Sequence, residues 1–567
     1  MDFFQDPPRL GNQYDDDPVL RSWLRRVLPA DVHDGIAPGL RELGGRAAGD
    51  LLALAEAAER EPPRHVPFDA WGRRVDRIDT SEAWRALDRV AAEEGIVATA
   101  YERTHGAHAR VHQLARLYLY HPSSAIYSCP LAMTDGAART LERLGGDDPY
   151  LREVFDRLTT RDAARFWTSG QWMTERSGGS DVSGTRTVAR LRGDGAYALT
   201  GAKWFTSATT SQVALTLARI VDGEGGDDAA PTGGAGLSLF LVQLRDASGA
   251  LRGIRVDRLK DKLGTRALPT AELTLCGTPA RLVGGAGHGV RKIATLLNVT
   301  RLYNAVCAVA NMRRAIALAA DYATRRVAFG RPLAALPLHV ETLAAMVTEF
   351  TGGFQLTFHV GELLGREECG VASTEELLLL RLLTPVAKLY TAKQAITVTS
   401  EALEAFGGAG YIEDTGLPRL LRDTQVLSIW EGTTNVLSLD VLRALAAPDT
   451  LAAFGAAVRR RLDAVSDARL RTAASSVAAA LLRIEAHAAA EMEAAERDAA
   501  ARSFAYALAR TYAAALLLEH AAWSIRVEAE PAAARATAAA VRWCGQELAP
   551  IVAPEAARLA ATLVRGA

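Results

Sequence analysis

The chain has 567 residues, with 65 Lys plus Arg against 66 Asp plus Glu, a formal net charge of -1 and 49% apolar residues. A chain of this length divides into several modules, because single cores stop growing at about 250 to 300 residues. Near-neutral charge excludes a chain built to coat nucleic acid, leaving only a local basic patch open. No uninterrupted apolar stretch approaches the roughly 20 residues a spanning helix needs, so a soluble globular protein with no membrane span is expected. The acidic start MDFFQDPPRLGNQYDDDP lacks the basic-then-apolar order of a secretory signal, and cytoplasmic residence is the expectation. Cys129, Cys276, Cys307, Cys369 and Cys544 are scattered without a CxxC pair and read as buried or inert thiols.

Residues 1–45 mix Pro, Asp, Gly and Arg around a short apolar segment at 20–28, and read as an extended arm that packs at an interface. From 51 to 158 apolar residues recur at three-and-four spacing in LLALAEAAE, SEAWRALDRVAAEEG and ARVHQLARLYLY, which predicts a helical module over 46–168. Near residue 187 alternation takes over, and RTVARLRGDGAYALTGAKWFTS reads as strand, Asp194-Gly195 turn, strand. QVALTLARIV, LSLFLVQL and TAELTLCG extend this to a central antiparallel sheet over 169–284. Between two of these runs, DGEGGDDAAPTGGAG at 222–236 reads as a long, exposed, mobile hairpin loop. Helical spacing returns over 285–446, with long runs at NAVCAVANMRRAIALAADYATRR and RLLTPVAKLYTAKQAITVTSEALEAFG. The Ala-rich remainder, 447–567, reads as a further helical domain. No repeat of fixed period is present, which argues against a solenoid. The expected architecture is multidomain α+β.

Six segments carry the chemistry: QWMTERSGGSDVSGT (171–185), GAKWFTS (201–207), LKDKLGTR (259–266), ATRRVAFGRPL (323–333), FGGAGYIED (406–414) and SIWEGTTNV (428–436). In this order they resemble the acyl-CoA dehydrogenase flavoprotein family, over roughly residues 50–445. QDPPRL near the start, AWGRRVD (70–76), SCPLAMT (128–134) and the extra C-terminal helices resemble its AidB-type adaptive-response branch. The resemblance implies an N-terminal helical domain, a middle β-domain, a C-terminal four-helix domain and the extra helical block. It also implies FAD between the subunits of a homotetramer.

A flavin needs donors at its polar edge, an aromatic wall and small residues beside its pyrophosphate. By the resemblance, Met173 and Thr174 contact the isoalloxazine, Gly179 and Ser180 approach the pyrophosphate, Trp204 lines one flavin face and Thr206 reaches N5. Arg326 and Phe329 resemble the pair that reaches the ADP part of a FAD held mainly by a neighbouring subunit, and Glu404 and Gly408 contact it again. Ala328 and Glu404 depart from the family's frequent Thr and Gln. Glu431 stands at the place of the catalytic base, Trp430 walls the substrate cavity, Thr433 and Asn435 touch FAD, and Arg301 lies near the acyl side, where it orients the base. Removing the α-proton of a thioester requires a carboxylate within about 3 Å on one side while the β-hydride leaves on the other. The proton becomes acidic enough only if the thioester carbonyl is polarised, which the family does with the N–H of the base residue and a ribityl hydroxyl. The expected substrate is an acyl-CoA or a related molecule; no motif names the electron acceptor.

Other signals carry less. Alone, a Glu beside Gly is usually a solvated carboxylate, and only the constellation gives Glu431 its meaning. His105, His108 and His112 share helical spacing without an accompanying Cys or carboxylate array, so no metal is assigned. GGAGHGVRK (284–292) fits no phosphate-loop pattern and reads as a loop opening a helix. Residues 450–567 hold 14 Arg and 12 acidic residues, with Arg459, Arg460 and Arg461 as the tight cluster, so the DNA contact of the AidB-type branch is weakly supported here. Three readings follow: an FAD-dependent acyl-CoA dehydrogenase, an oxygen-using flavin oxidase or monooxygenase, and an alkylation-response flavoprotein that binds DNA.

Overall fold

The structure, a computed structural model, describes residues 6–221 and 233–565. Asp17 opens α1 (Pro18–Val27) by accepting from the amides of Val19 and Leu20, with Pro18 in the first turn where its missing N–H costs nothing. With α2 (Ala30–Ala48) this makes residues 18–48 helical where an extended arm was expected. After α3 (Asp50–Arg60), β1 (Arg64–Phe68) and β2 (Arg74–Asp79) form an antiparallel ribbon inside the stretch read as wholly helical. Buried Asp76 accepts from His65, Arg74 and the amide of Val256, fastening this ribbon to the main sheet. Next come α4 (Glu82–Glu93), α5 (Ala98–Glu102), α6 (Ala109–Tyr120), α7 (Ser128–Leu144) and α8 (Pro149–Leu158).

The sheet comprises β3 (Ser169–Trp172), β4 (Val188–Leu191), β5 (Tyr197–Ser207), β6 (Val213–Val221), β7 (Leu237–Gln243), β8 (Ile254–Leu259) and β9 (Thr270–Val283). Its order is β3-β6-β4-β5-β9-β7, and β7 also pairs with β6, so the path closes into a ring with β8 alongside β9. The sheet is mixed: β3 and β4 run parallel to β6, against the purely antiparallel expectation. A tight turn forces antiparallel pairing only on the strands it joins, as at β4–β5, where Gly195 takes φ +79°. β6 and β7 pair antiparallel as a hairpin would, while residues 222–232 of their expected loop lie outside the described residues.

The helices that follow are α9 (Gly289–Arg325), α10 (Pro337–Glu368), α11 (Thr374–Ala405), α12 (Leu417–Gln425), α13 (Thr434–Leu445), α14 (Thr450–Asp463), α15 (Arg471–Ala489), α16 (Ala494–Val527), α17 (Ala532–Cys544) and α18 (Pro554–Arg565). Between α9 and α10 lies a small hairpin of β10 (Val327–Ala328) and β11 (Arg331–Pro332). GGAGHGVRK runs from the loop after β9 (284–288) into the first turn of α9. By length and composition α9 passes for a membrane span, which the sequence reading did not anticipate, yet 72% of its most apolar window is buried, as in a core helix.

The chain folds into two compact units, one of Met1–Ala48, Arg103–Leu119 and Asn304–Ala567, the other of Gly49–Glu102 and Tyr120–Tyr303. In the second, alternate residues of β6 and β7 serve two cores. Leu215, Leu217, Leu239 and Leu241 join Leu141, Val154 and Leu296, while Ala214, Phe240 and Val242 join Trp172, Leu199 and Leu273. In the first unit, Trp23 of α1 packs edge-on to Phe358 at 5.2 Å, and Gly352 lets α10 approach the Trp543 ring of α17. Half-buried Ser22 donates to Glu528, so the nearby His520 Nε2, 3.1 Å away, is the donor to Ser22, and burial keeps the imidazole neutral. Cys129, Cys307 and Cys544 are buried, and burial pushes the Cys544 thiol up to about 12; Cys276 is exposed and Cys369 half-buried.

Candidate active site

Glu431 sits in the turn between α12 and α13 with φ +57°, followed by Gly432 at φ +101°. A left-handed backbone at a residue with a Cβ costs about 1–3 kcal/mol and persists only when its surroundings impose it. Three ties do so here. Lys388, wholly buried in α11, donates from Nζ to the carbonyls of Trp430 (2.7 Å) and Gly432 (2.6 Å), one on each side of Glu431. Asn304 of α9 donates to the Leu427 carbonyl at 3.0 Å and accepts from the Trp430 indole N–H. Asn311 donates to Thr424 at 3.0 Å. Hydrogen bonds from a charged donor contribute about 1.5–3 kcal/mol each, enough to offset the strain. Glu431 itself is half-buried, and exposed Thr433 and Asn435 follow it, Thr433 capping α13.

In the same unit, β10 and β11 are joined by Phe329 (φ +53°) and Gly330 (φ +76°), the two left-handed residues of a type I′ turn. The Phe329 ring at its tip is 94% exposed, and half-buried Arg326 precedes the hairpin. Glu404 is exposed in the last turn of α11. Gly408 is exposed with open space around it, while a Cβ at Gly410 would come 1.9 Å from the Leu403 carbonyl, so the tight FGGAG turn depends on Gly410.

In the second unit, buried Met173 follows β3, and the Thr174 carbonyl accepts from the Trp204 amide at 2.9 Å, joining the SGGSD loop to β5. A Cβ at Gly179 would lie 2.4 Å from Thr174 Oγ1, so any larger residue there would have to displace the Thr174 side chain; Ser180 beside it is exposed. Beneath the loop, Glu175 accepts from Lys203 Nζ (2.9 Å), Thr187 Oγ1 (2.5 Å) and the amides of Arg186 (2.7 Å) and Thr187 (3.2 Å). Burial pushes the Glu175 pKa up, but the Lys203 charge and these donors outweigh it and hold the carboxyl below the usual range. Burial lowers the pKa of Lys203 in turn. Trp204 is half-buried, with the Lys260 ammonium 3.5 Å and the Arg176 guanidinium 5.3 Å from its ring centroid, a cation–π arrangement. The Thr206 hydroxyl is buried and donates to the Ala271 carbonyl at 2.7 Å, which leaves its lone pairs for a ligand. Arg301 is half-buried in α9.

The contacts therefore join Thr174, Gly179 and Trp204 in one unit, and place Glu431, Thr433 and Asn435 on one turn in the other. Sequence reasoning missed Lys388, Asn304, Glu175 and Lys203. The signal for the lysines was present: each is a lone cation in an apolar run, PVAKLY and GAKWF, where an ammonium must find buried acceptors. Among the described residues no group of three or more His, Cys, Asp or Glu is arranged to hold a metal.

A closed β ring with long-helix modules and a carboxylate braced on a strained turn define a flavoprotein oxidoreductase of the CH–CH class. The chain belongs to the acyl-CoA dehydrogenase family, whose members are FAD-dependent. Residues 170–277 match the acyl-CoA dehydrogenase middle domain and 287–446 its C-terminal domain. Residues 6–162 match the adaptive response protein AidB N-terminal domain, and 449–562 the acyl-CoA dehydrogenase 11 C-terminal domain-like family. The chain is 47% identical over 531 residues to acyl-CoA dehydrogenase family member 11 of Caenorhabditis elegans, covering 92% of this chain and 86% of that protein. It is 35% identical over 446 residues to the putative acyl-CoA dehydrogenase AidB of Escherichia coli, covering 77% and 79%. The crystal structure of Caenorhabditis elegans ACDH-11 in complex with C11-CoA superposes with a TM-score of 0.95 at 44% identity, over 99% of this chain and 96% of that one.

Proposed function

We propose that the protein oxidises an acyl-CoA thioester at its Cα–Cβ bond, with Glu431 as the base that removes the α-proton. The observation that carries this reading is the Glu431 turn, where a half-buried carboxylate is held in a left-handed conformation by a buried lysine and an asparagine. A solvated surface carboxylate needs no such bracing. Trp430, fixed through its indole N–H, walls the acyl side, and the Glu431 amide polarises the thioester carbonyl.

The residues present suit FAD. The sheet-bearing unit offers the tight approach at Gly179, the Trp204 ring and exposed Ser180, and the helical unit separately offers exposed Thr433 and Asn435; small, aromatic and polar groups of these kinds are what such a cofactor requires. When bound, FAD supplies the two-electron acceptor for the β-hydride. The exposed Phe329 hairpin, with Arg326, Glu404 and Gly408, fits contact with the FAD of a neighbouring subunit, and we extend the proposal to a homotetramer.

The structure gives the DNA reading no added support: Arg459 pairs with Glu485 (2.6 Å), Arg460 with Glu375 (2.6 Å) and Arg461 with Glu519 (3.4 Å), so the only arginine triplet is neutralised. The test is an anaerobic visible spectrum of the purified flavoprotein with a panel of thioesters, beginning with C11-CoA because the worm relative was crystallised with it. Bleaching is expected in the wild type and is lost in Glu431→Gln. A flavin indifferent to every thioester, or bleaching that survives in Glu431→Gln, refutes the reading. Oxygen consumption coupled to the thioester would point instead to an oxidase.

A further inference from the structure

We infer that Lys388 is a positioning residue that aims both reactive groups of Glu431, the carboxylate and the backbone N–H; this rests on the reading of Glu431 as the base. Nζ of Lys388 reaches the Trp430 carbonyl, before Glu431, at 2.7 Å and the Gly432 carbonyl, after it, at 2.6 Å, from a side chain with no exposure to solvent. One ammonium thus clamps both ends of the strained segment, and residue 431 keeps φ +57° between two fixed points.

The direction of the clamp matters as much as its strength. A trans peptide sets its C=O and N–H antiparallel, so a Trp430 carbonyl turned toward Lys388 turns the Glu431 N–H away from it. That N–H is the donor assigned above to the thioester carbonyl. The same ammonium draws electron density from the Trp430–Glu431 amide through its oxygen, which makes the amide N–H a better donor, as in any chain of cooperative hydrogen bonds. Lys388 thereby orients and strengthens a donor it does not touch, while fixing the Cα from which the Glu431 carboxylate extends. Neutral fasteners elsewhere in the turn, Asn304 and Asn311, hold its approach but touch neither carbonyl of the clamp.

The test uses the full-length, FAD-loaded protein with Lys388→Met, and Lys388→Gln, which keeps donors but not the charge. Removal of a preorganised donor to a developing oxyanion slows enzymes by about 100- to 1,000-fold. Lys388→Met is therefore expected to reduce the rapid-mixing rate of flavin reduction by about 100-fold. The thioester Kd and FAD content stay within about threefold, and Lys388→Gln recovers roughly tenfold. The infrared band of a carbonyl-labelled bound thioester is expected to move toward its free position in Lys388→Met, and a crystal structure of that variant to show residue 431 leaving the left-handed region. If Lys388→Met folds poorly, Lys388→Gln carries each readout. A reduction rate within threefold of wild type, or an unmoved residue 431 with an unmoved carbonyl band, overturns the inference. A loss of thioester binding equal to the loss of rate also overturns it, because that marks a merely structural role. If Glu431→Gln still supports bleaching, the base reading fails, and the conformation of residue 431 in Lys388→Met still decides whether Lys388 positions it.

Discussion

The Glu175–Lys203 pair under the SGGSD loop makes a prediction whose size depends on pH. Lys203→Met removes a fully buried ammonium and leaves a carboxylate that is 5% exposed. Breaking a buried pair from one side costs about 3–5 kcal/mol. The low end applies here, because Glu175 keeps the amides of Arg186 and Thr187 and the Thr187 hydroxyl. About 3 kcal/mol is more than a hundredfold in the local opening constant.

In the wild type the Glu175 pKa is lowered, so this group contributes stability above its unfolded value near 4.5, and that contribution is lost as pH falls through the folded value. Without Lys203, burial, the largest influence on Glu175, carries the folded pKa above the unfolded one. Its contribution is then present at low pH and lost as pH rises. Hydrogen exchange of peptides from β5 and β6, corrected for intrinsic rates, is expected to show a hundredfold loss of protection at pH 7 that narrows toward pH 5. The double variant Glu175→Gln/Lys203→Met flattens the dependence. Equal loss at both pH values, or protection within threefold of wild type, refutes the reasoning.

Burial and the Arg26 charge push His520 down to about 3. A neutral buried imidazole with an unfolded pKa near 6.5 contributes stability above that value and loses it as pH falls, about 2 kcal/mol between pH 7 and pH 5, a difference that urea unfolding should find abolished in His520→Gln. Gly352→Ala places a Cβ 2.2 Å from the Trp543 ring, whose indole N–H is fixed by the Arg510 carbonyl at 3.0 Å. Overpacking at so rigid a contact should cost about 3 kcal/mol, read as a lower urea midpoint for the helical unit. Phe329→Asp should leave the monomer folded by circular dichroism while light scattering shows smaller particles that retain less FAD; an unchanged assembly would remove Phe329 from the interface.

What was legible in the sequence was what local chemistry announces. The β4–β5 hairpin declared itself through alternation around Asp194-Gly195, and the Glu431 turn through IWEGTTN. The β1–β2 ribbon was silent, because RHVPF and RRVDRI show no apolar alternation: Val75 is exposed, and the inward side chains of β2 are Asp76 and Ile78. The helix 30–48 was hidden by its glycines: Gly44 is there because a Cβ would lie 2.6 Å from the Tyr14 amide, a close approach rather than a turn. The parallel pairing of β6 with β3 and β4 has no local signature. Nor do the braces of the candidate site, since Lys388 and Asn304 stand 42 and 126 residues from the Trp430 they hold.

The interleaving of the two units has a consequence for synthesis. Met1–Ala48 and Arg103–Leu119 belong to the unit whose remaining residues begin at Asn304, and α10, which packs on Trp23, ends at Glu368. A ribosome adding about 5–20 residues per second needs roughly 12–50 s to pass from the second segment to the end of α10. During that interval the whole of the sheet-bearing unit is completed, at Tyr303, while Trp23, Leu24 and Leu114 still wait without their final neighbours. The nascent protein is thus an orphaned helical face tethered to a finished domain, and it is at this stage, rather than in the native state, that it most needs a chaperone.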